Sequence, residues 1–417
     1  MQWKRASCCT LISSLVSCTG AGSGPEIGET NRVDGVAPSG LIQASDGNFY
    51  GTTAGGGDFG LGTVFRLTPA GVEEVLYSFT GGTSDGENPQ GLIQGSDGNF
   101  YGTTNDGGIN ACQRDEPVGY TGGPTGCGVV FRVTPSGAES IIYFFRGTDD
   151  GGEPNPGLAQ ASDGTLYGTT AAGGEESTDC GSDGCGTVFQ IKPDGQESAL
   201  YSFSGKDDGS LPTSVIVGAD GDLYGTTEIG GRNDQGTIFQ LTPAGAETVL
   251  YSFLGGSDGE LPFGPLLQAS NGLFYGAEYF GGEGHGAIFE MTPAGAKTTL
   301  YEFKGGSGDG AYPGPLTLGS DGSFYGTTGN GGNMACSEGC GTVFKFTLPA
   351  DEEPIYLVPP IDGQTSSSPS LSNLIQGNDG YLYGTSNGDG QFGGGTVFRM
   401  SFEGVKTVIY SFGRNTS

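Results

Sequence analysis

One stretch of the chain gathers side chains that could transfer a proton. His285 is the only histidine, and Glu278, Tyr279 and Glu283 lie within seven residues of it. An imidazole oriented by a neighbouring carboxylate or phenol can act as a general base. The same residues in an exposed loop would have no catalytic role, and the sequence shows no nucleophile motif, metal-ligand set or phosphate loop beside them. We therefore name His285, Glu278 and Tyr279 as the only catalytic candidates and favour a protein without catalysis.

A recurring Asp-Gly pair supplies carboxylates that could hold a cation or bind sugar hydroxyls. Calcium takes six to eight oxygen ligands, so structural Ca²⁺ is the one cofactor that the sequence suggests. In the other interpretation, each aspartate caps its own turn by accepting a hydrogen bond from the backbone N–H two residues on. We favour capping, because a feature present in every copy belongs to the frame. The aspartates are Asp34, Asp85, Asp150, Asp208, Asp258, Asp309 and Asp362, of which Asp85, Asp150, Asp208, Asp258 and Asp309 are the metal candidates.

Six of the nine cysteines fall in close pairs. The pairs are Cys112 with Cys127, Cys180 with Cys185 and Cys336 with Cys340. An even number of cysteines, paired within single loops of an exported chain, predicts three local disulfides. Zinc is the alternative, but it needs four converging ligands and the chain has one histidine.

Two insertions and one short loop are the candidates for ligand contacts. The longest insertion, residues 109–126, has the composition of a recognition loop pinned by a disulfide. A second, shorter insertion contains Glu175 and Glu176, and the loop of His285 contains Glu283. The ligand-binding candidates are Arg114, Asp115, Glu116, Tyr120, Glu175, Glu176, Glu283 and His285.

A repeat positions all these residues. The chain has 417 residues, of which 85 are Gly and 22 are Pro, a level typical of disorder unless the glycines are periodic. They are periodic, because an Asp-Gly or Asn-Gly pair precedes a Tyr-Gly pair seven times, at intervals of 50 to 66 residues. The anchors are Asp46, Asp97, Asp163, Asp220, Asn271, Asp321 and Asp379.

Each copy predicts four short strands. In the first copy these are residues 41–45, 48–53, 62–68 and 73–79, separated by Asp46-Gly47, a Gly-rich loop and Pro69-Ala70-Gly71. Asp-Gly favours a two-residue type I′ turn. Seven such units predict an all-β fold, a seven-bladed β-propeller of four-stranded antiparallel blades with the first strand innermost. The second-to-third loops and the blade connections then share one face, which we call the long-loop face and expect to bind ligand.

Charge excludes one class of partner. Lys plus Arg is 16 and Asp plus Glu is 47, so the net charge of −31 leaves no basic footprint for nucleic acid.

Residues 1–17 resemble a signal peptide, and Leu15-Val16-Ser17-Cys18 resembles a bacterial lipobox with Cys18 as the lipidated residue. We expect a lipid-anchored flexible tether over 18–33, one propeller over 34–412 and a tail over 413–417. Membrane contact would come through the lipid alone, and the alternative is a secreted chain.

The copies also resemble a known family. Their shared pattern, YGTT, GG, GTVF, TPAG and LYSF in order, is similar to the GloVer (Gloeo-Verruco) tandem repeat of bacterial extracytoplasmic proteins over residues 34–412. The resemblance implies export and surface anchoring by an anchor that differs between members, and it implies no known reaction. Copy five departs from the pattern at Ala277-Glu278-Tyr279-Phe280.

Three functions follow for the long-loop face. The first is a monomeric, surface-anchored propeller that binds a glycan or an envelope protein without catalysis. The second is a carbohydrate-active lyase or hydrolase that uses acidic residues and His285. The third is a purely structural surface protein.

Overall fold

A computed structural model describes residues 34–109, 126–174, 179–181, 183–336, 338–349, 351–359 and 371–413. These residues form seven antiparallel sheets, one for each predicted copy. No helix among them has the length and apolar content needed to cross a lipid bilayer. A short 3-10 helix, Gly256–Asp258, lies in one connection between sheets.

The first four sheets follow the chain in order. Blade one comprises β1 (Gly35–Gln43), β2 (Phe49–Gly56), β3 (Thr63–Leu67) and β4 (Glu73–Ser78). Blade two comprises β5 (Gly86–Gln94), β6 (Phe100–Gly107), β7 (Val129–Val133) and β8 (Glu139–Phe144). Blade three comprises β9 (Gly152–Pro154), β10 (Ala159–Gln160), β11 (Leu166–Ala172), β12 (Thr187–Ile191) and β13 (Glu197–Ser202). Blade four comprises β14 (Ser210–Val217), β15 (Leu223–Ile229), β16 (Thr237–Leu241) and β17 (Glu247–Ser252).

The remaining three sheets repeat the arrangement. Blade five comprises β18 (Glu260–Gln268), β19 (Phe274–Phe280), β20 (Ala287–Met291) and β21 (Lys297–Glu302). Blade six comprises β22 (Gly310–Pro313), β23 (Thr317–Leu318), β24 (Phe324–Gly332), β25 (Gly339–Thr347) and β26 (Asp351–Leu357). Blade seven comprises β27 (Ile375–Gln376), β28 (Leu382–Ser386), β29 (Gly393–Met400) and β30 (Lys406–Gly413).

The prediction of a seven-bladed β-propeller with four strand positions per blade is confirmed. In blades three and six the first strand is split in two, and both pieces pair with the second strand. Pro156 and Pro315 lie in the gaps, and proline has no N–H to give to a strand ladder. First strands of neighbouring blades contact one another, as innermost strands do.

The predicted turn type is wrong. In the first hairpin the N–H of Gly47 donates to the carbonyl of Ala44, and the N–H of Ala44 donates to the carbonyl of Asn48, both at 2.9 Å. Gly47 has φ 82°, whereas Asp46 is not among the residues with positive φ, and a type I′ turn needs positive φ at both. The hairpin therefore has a three-residue loop, a turn over Ser45 and Asp46 followed by a single left-handed glycine. The Thr68-Pro69-Ala70-Gly71 turn has the same bonding pattern.

The core lies between the blades. The tyrosines of the Tyr-Gly pairs pack against the next blade, as in the ring stacking of Tyr50 on Phe100 at 4.0 Å between centroids. Their hydroxyls point to the hairpin turns, where Tyr50 donates to Asp46 at 2.8 Å. These contacts confirm that the tyrosines serve interblade packing rather than an aromatic binding row. Six of the seven are buried: Tyr50, Tyr167, Tyr224, Tyr275, Tyr325 and Tyr383.

Blade seven closes the ring against blade one without exchanging a strand, because every sheet is built from consecutive strands. The hydroxyl of Tyr410 donates to Asp34 at 3.1 Å, and the N–H of Gly413 donates to the same carboxylate at 3.0 Å. On the inner side, the hydroxyl of Thr385 donates to the carbonyl of Pro38 at 3.0 Å. These hydrogen bonds accompany apolar packing between the two blades, in which the Phe49 and Tyr383 ring centroids lie 4.2 Å apart.

Candidate functional site

The blade connections and the second-to-third loops meet on one face, as predicted. At five junctions among the described residues, the N–H of a residue near the start of the first strand donates to a carbonyl in the preceding blade's second-to-third loop. Asn88 donates to Leu61 at 3.0 Å, and Tyr312 donates to His285 at 2.8 Å. Glu153, Leu211 and Leu261 make the equivalent bonds. This repeated bond fixes where each connection crosses the long-loop face.

The five donor residues of these bonds have a left-handed backbone, and Ala37 of blade one shares it. Six residues that each precede a proline have φ between 53° and 60°: Ala37, Asn88, Glu153, Leu211, Leu261 and Tyr312. A side chain in this conformation costs about 1–3 kcal/mol, and glycine would adopt it almost freely. None of the six is glycine, although glycine fills most other positive-φ positions of the described chain. The side chains at these positions vary in size and charge while the backbone does not.

The aspartates of the connections tie neighbouring blades together. Asp85 accepts hydrogen bonds from the hydroxyl of Tyr77 at 2.8 Å and from the N–H of Thr80 at 2.7 Å. Asp150, Asp208, Asp258, Asp309 and Asp34 accept the same pair of bonds, from a fourth-strand tyrosine and a nearby backbone N–H. The capping interpretation is right in kind and wrong in detail. Except at Asp34, these donors lie four to eight residues before the aspartate, and where a following N–H donates, as at Asp34, Asp85 and Asp309, it is one residue on and not two. Asp362 lies outside the described residues.

A second carboxyl group approaches most of these aspartates. At the start of the next blade's fourth strand lie Glu139 beside Asp85, Glu197 beside Asp150, Glu247 beside Asp208 and Glu352 beside Asp309. Burial, and then in most cases the neighbouring aspartate, raises the pKa of each glutamate to about 7. One oxygen of each is buried with no hydrogen-bond partner among the described residues. These glutamates are half-protonated near neutral pH.

Among the residues that the structure describes, no three His, Cys, Asp or Glu side chains cluster in a way that could hold a metal ion. The structural Ca²⁺ suggested by the sequence stays a prediction.

Glu278 has a buried partner, which is Lys297. The Lys297 ammonium lies 2.7 Å from the carboxylate of Glu278 and 3.6 Å from that of Asp258. The Lys297 side chain is 2 % exposed, and that of Glu278 is 1 % exposed. Burial raises the pKa of Glu278 to about 7, against the opposing effect of Lys297. The structure therefore gives Glu278 a place in the core, and its catalytic role stays a prediction.

His285 lies at the surface of the same blade, with its carbonyl held by Tyr312. Its ring packs against the backbone of Gly305, and its Nδ1 is buried without a hydrogen-bond partner among the described residues. Glu283 is exposed in the same loop. Tyr279 is half-buried, and burial raises the pKa of its phenol, followed by the effect of Tyr312 and Glu338.

Four aromatic rings form a cluster beside His285 that the sequence prediction missed. Tyr279 stacks on Tyr312 with centroids 4.9 Å apart and planes 14° apart, across the junction of blades five and six. Phe280 lies 5.3 Å from Tyr312, and Phe263 lies 6.1 Å from Tyr279. Aligning the copies by position could have revealed the cluster, since each ring replaces a small, polar or aliphatic residue in the other copies.

Six ligand-binding candidates fall outside the described residues: Arg114, Asp115, Glu116, Tyr120, Glu175 and Glu176. Cys18 and Cys112 fall outside them as well. The disulfides Cys180–Cys185 and Cys336–Cys340 are present, each with Cα atoms 5.2 Å apart. Cys127 is also disulfide-bonded. The prediction of disulfides within these loops is confirmed for the two complete pairs.

Comparison with known proteins gives one family and several structural neighbours. A family model described as the Gloeobacter/Verrucomicrobia repeat matches residues 17–112, 118–313 and 247–417, nearly the whole chain. No curated protein matches significantly.

Solved structures share the fold at low identity. An extracellular domain of a one-component system from B. thetaiotaomicron is 14 % identical with a TM-score of 0.56, over 90 % of this chain and 40 % of that one. An extracellular domain of a hybrid two-component system from the same organism is 10 % identical with a TM-score of 0.53, over 92 % and 47 %. The acylaminoacyl peptidase of Pyrococcus horikoshii is 9 % identical with a TM-score of 0.50, over 90 % and 52 %. The chain thus spans about half or less of each neighbour, and the likeness is one of fold.

Proposed function

Because this chain belongs to the Gloeobacter/Verrucomicrobia repeat family, we propose that it is an exported propeller that binds a glycan or an envelope protein through its long-loop face, without catalysis. Export is supported by the disulfides, which form and persist in oxidising compartments. It also agrees with the extracellular location of the two sensor domains that share the fold. A lipid on Cys18 would anchor the protein at the cell envelope, and mass spectrometry of the mature N-terminus tests this.

The observation that carries the proposal is the set of six left-handed residues on the long-loop face. A structural blade would place glycine there, because glycine removes about 1–3 kcal/mol of strain at each position. The chain instead places five kinds of side chain on the same backbone conformation: an alanine, an asparagine, a glutamate, two leucines and a tyrosine. Strained residues concentrate where side chains contact ligands. The side chains are therefore the part that matters at these positions.

The test replaces all six residues with glycine. The substituted positions are Ala37, Asn88, Glu153, Leu211, Leu261 and Tyr312. We expect an unchanged or higher melting temperature, since strain is removed, together with loss of binding to an array of bacterial envelope glycans and isolated envelope proteins. A variant that retains full binding would contradict the proposal. A chain that binds nothing on either array would favour the purely structural protein.

The enzymatic alternative has its own readout. A screen for polysaccharide hydrolysis and elimination, run on the wild-type chain and on His285→Ala and Glu278→Gln, tests it directly. Turnover that either substitution abolishes would establish catalysis and overturn the binding-only proposal. We expect no turnover above the background of the buffer.

A further inference from the structure

The aromatic cluster at the junction of blades five and six departs from the repeat at four independent positions. Where blade five has Phe263, the equivalent positions hold Ser39, Gln90, Asn155, Thr213, Gly314 and Ser372. Where blade five has Tyr279, they hold Ala54, Asn105, Ala171, Glu228, Gly329 and Asn387. Where blade five has Phe280, they hold Gly55, Asp106, Ala172, Ile229, Asn330 and Gly388. Tyr312 occupies the left-handed position that holds Ala37, Asn88, Glu153, Leu211 and Leu261 elsewhere.

These four rings contact one another although they come from three different strands. Phe263 lies on β18, Tyr279 and Phe280 on β19, and Tyr312 on β22 of the next blade. The propeller core does not require aromatic rings there, since the other blades close with small, polar or aliphatic residues at the same places. Phe263 is 41 % exposed and the other three rings are half-buried. The rings form one continuous aromatic surface that solvent reaches.

Polar groups border this surface. The hydroxyls of Tyr279 and Tyr312 make no hydrogen bond within the described part of the chain, in contrast to the Tyr-Gly tyrosines that donate to the hairpin aspartates. The half-buried His285 ring borders them, with its centroid 6.4 Å from that of Tyr312. Its Nδ1 is enclosed by the protein, so a hydrogen bond from this ring to a ligand falls to Nε2. Flat aromatic rings with polar groups at the edge match a pyranose, which has an apolar C–H face and a rim of hydroxyls.

The negative charge around the aromatic cluster favours an uncharged sugar as ligand. Glu283 is exposed in the adjoining loop, Glu338 lies close enough to influence the Tyr279 phenol, and the whole chain carries −31. The ammonium of Lys297 is buried in an ion pair with Glu278, and the exposed Lys304 directly precedes Gly305, on which the His285 ring packs. A uronate or a phosphorylated glycan would meet repulsion with no exposed cation from Lys297 to offset it.

We propose that Phe263, Tyr279, Phe280 and Tyr312 form a stacking surface for the pyranose rings of an uncharged glycan, hydrogen-bonded at its edge by the two phenols and His285. This assignment rests on the proposed binding function and gives it a location and a ligand class. Each ring contributes its own stacking contact with the glycan, so the loss of any one ring should weaken binding.

The experiment uses the full mature chain and two soluble probe sets, neutral β-glucans and galactomannans in one and polygalacturonate and alginate in the other. We expect a neutral glycan to bind by calorimetry and the polyuronates not to bind. Phe263→Ala and Tyr312→Gly should each weaken binding by about tenfold or more, equivalent to about 1.4 kcal/mol.

Matched variants separate binding from folding. Tyr312→Gly removes a ring and also relieves a left-handed backbone, so its melting temperature should not fall. Asp234→Gly relieves a left-handed backbone of similar φ, 59°, in a loop of blade four without removing a ring, and should leave the affinity unchanged. Phe59→Ala and Phe392→Ala remove rings that are 59 % and 52 % exposed on loops of other blades, and should also leave it unchanged.

The outcomes distinguish the two levels of proposal. Neutral-glycan binding that survives both Phe263→Ala and Tyr312→Gly overturns the stacking surface, while loss in the six-glycine variant would keep the long-loop face as the binding site. Binding of polyuronates alone, or of no glycan, overturns the ligand class. An envelope protein retained by the wild-type chain would then leave the broader function standing.

Discussion

The junctions between blades solve one electrostatic problem in two ways. Between blades one and two, Asp85 is flanked by Glu139, whose pKa burial raises to about 7. Between blades four and five, Lys297 occupies the position of that glutamate and meets Asp258 and Glu278. A proton removes the excess negative charge in the first junction, and a buried ammonium offsets it in the second. The same backbone therefore accepts either solution, provided that the neighbouring carboxylates change with it.

The comparison also explains the departure of copy five from the repeat. Glu278 replaces the second threonine of the Tyr-Gly-Thr-Thr segment, which elsewhere bonds a third-strand threonine, as Thr227 does with Thr237 at 2.9 Å. Glu278 and Lys297 are thus a paired change within one blade. Lys297 also lies 5.1 Å from the ring centroid of Phe253, so the ammonium gains a cation–π contact as well.

The largest expected effect comes from removing the buried ammonium. Lys297→Met leaves Glu278 and Asp258 without their cation in the core, and we expect a loss of about 3–5 kcal/mol in the free energy of unfolding. Urea denaturation at pH 8 measures it. The matched control is the double variant Lys297→Met with Glu278→Thr, which should recover most of the loss. A double variant as unstable as the single one would show that Lys297 acts through packing and not through charge.

The glutamate junctions predict an unusual pH dependence. Glu139, Glu197, Glu247 and Glu352 have pKa values near 7 in the folded chain and near 4.5 when unfolded, so the folded state binds more protons between those values. Stability is therefore complete below about pH 4.5 and falls as the pH rises through 7. We expect roughly 1 kcal/mol per glutamate, because solvent screens these half-exposed groups.

Denaturation between pH 5 and 8 tests this sign. Below pH 4 the trend should reverse, since hydrogen bonds hold the pKa of Asp97 and Asp163 below the usual value and those bonds weaken on protonation. Stability that rises steadily from pH 5 to 8 would contradict the proton-bearing junctions.

A single neutral substitution sharpens the comparison. Glu139→Gln makes this side chain permanently uncharged, so at pH 8 it should raise the free energy of unfolding by about 1 kcal/mol. The decrease in stability between pH 5 and 8 should then be smaller by the contribution of one of the four junction glutamates. At pH 5 the variant and the wild type should be equally stable. A loss of stability at both pH values would mean that the carboxylate itself is required.

The smallest effect is expected at an exposed ion pair. Arg66 and Glu74 pair on blade one with side chains 36 % and 55 % exposed. Arg66→Ala should change the free energy of unfolding by less than about 0.5 kcal/mol, in contrast to Lys297→Met. Added salt should leave that small difference smaller still. A loss above 1 kcal/mol would erase the distinction between buried and surface charge that the comparison rests on.

Much of the fold could be predicted because the glycines, turns and Tyr-Gly pairs recur in phase. The hairpin turn type was wrong, because Asp-Gly is compatible with more than one turn and strand register decides between them. The partner of Glu278 could not be predicted from nearness in sequence, since Lys297 is 19 residues away and reaches it across two strands. The aromatic cluster was missed for the same reason, since Phe263 and Tyr312 lie in different blades and only the ring geometry brings them together.

The closing seam, which is the junction between blades seven and one, has a consequence for circular permutation of the chain. Tyr410 and Asp34 repeat across the seam the bond that Tyr77 and Asp85 make within the continuous chain. The N–H of Gly413 reaches the carboxylate of Asp34, so a short peptide could join the two ends there. A circular permutant opened instead at the connection around Asp208 would exchange one seam for another of the same chemistry. At the six junctions that the structure describes, the same aspartate–tyrosine bond joins neighbouring blades, so the chain could begin at any of these six without losing that bond.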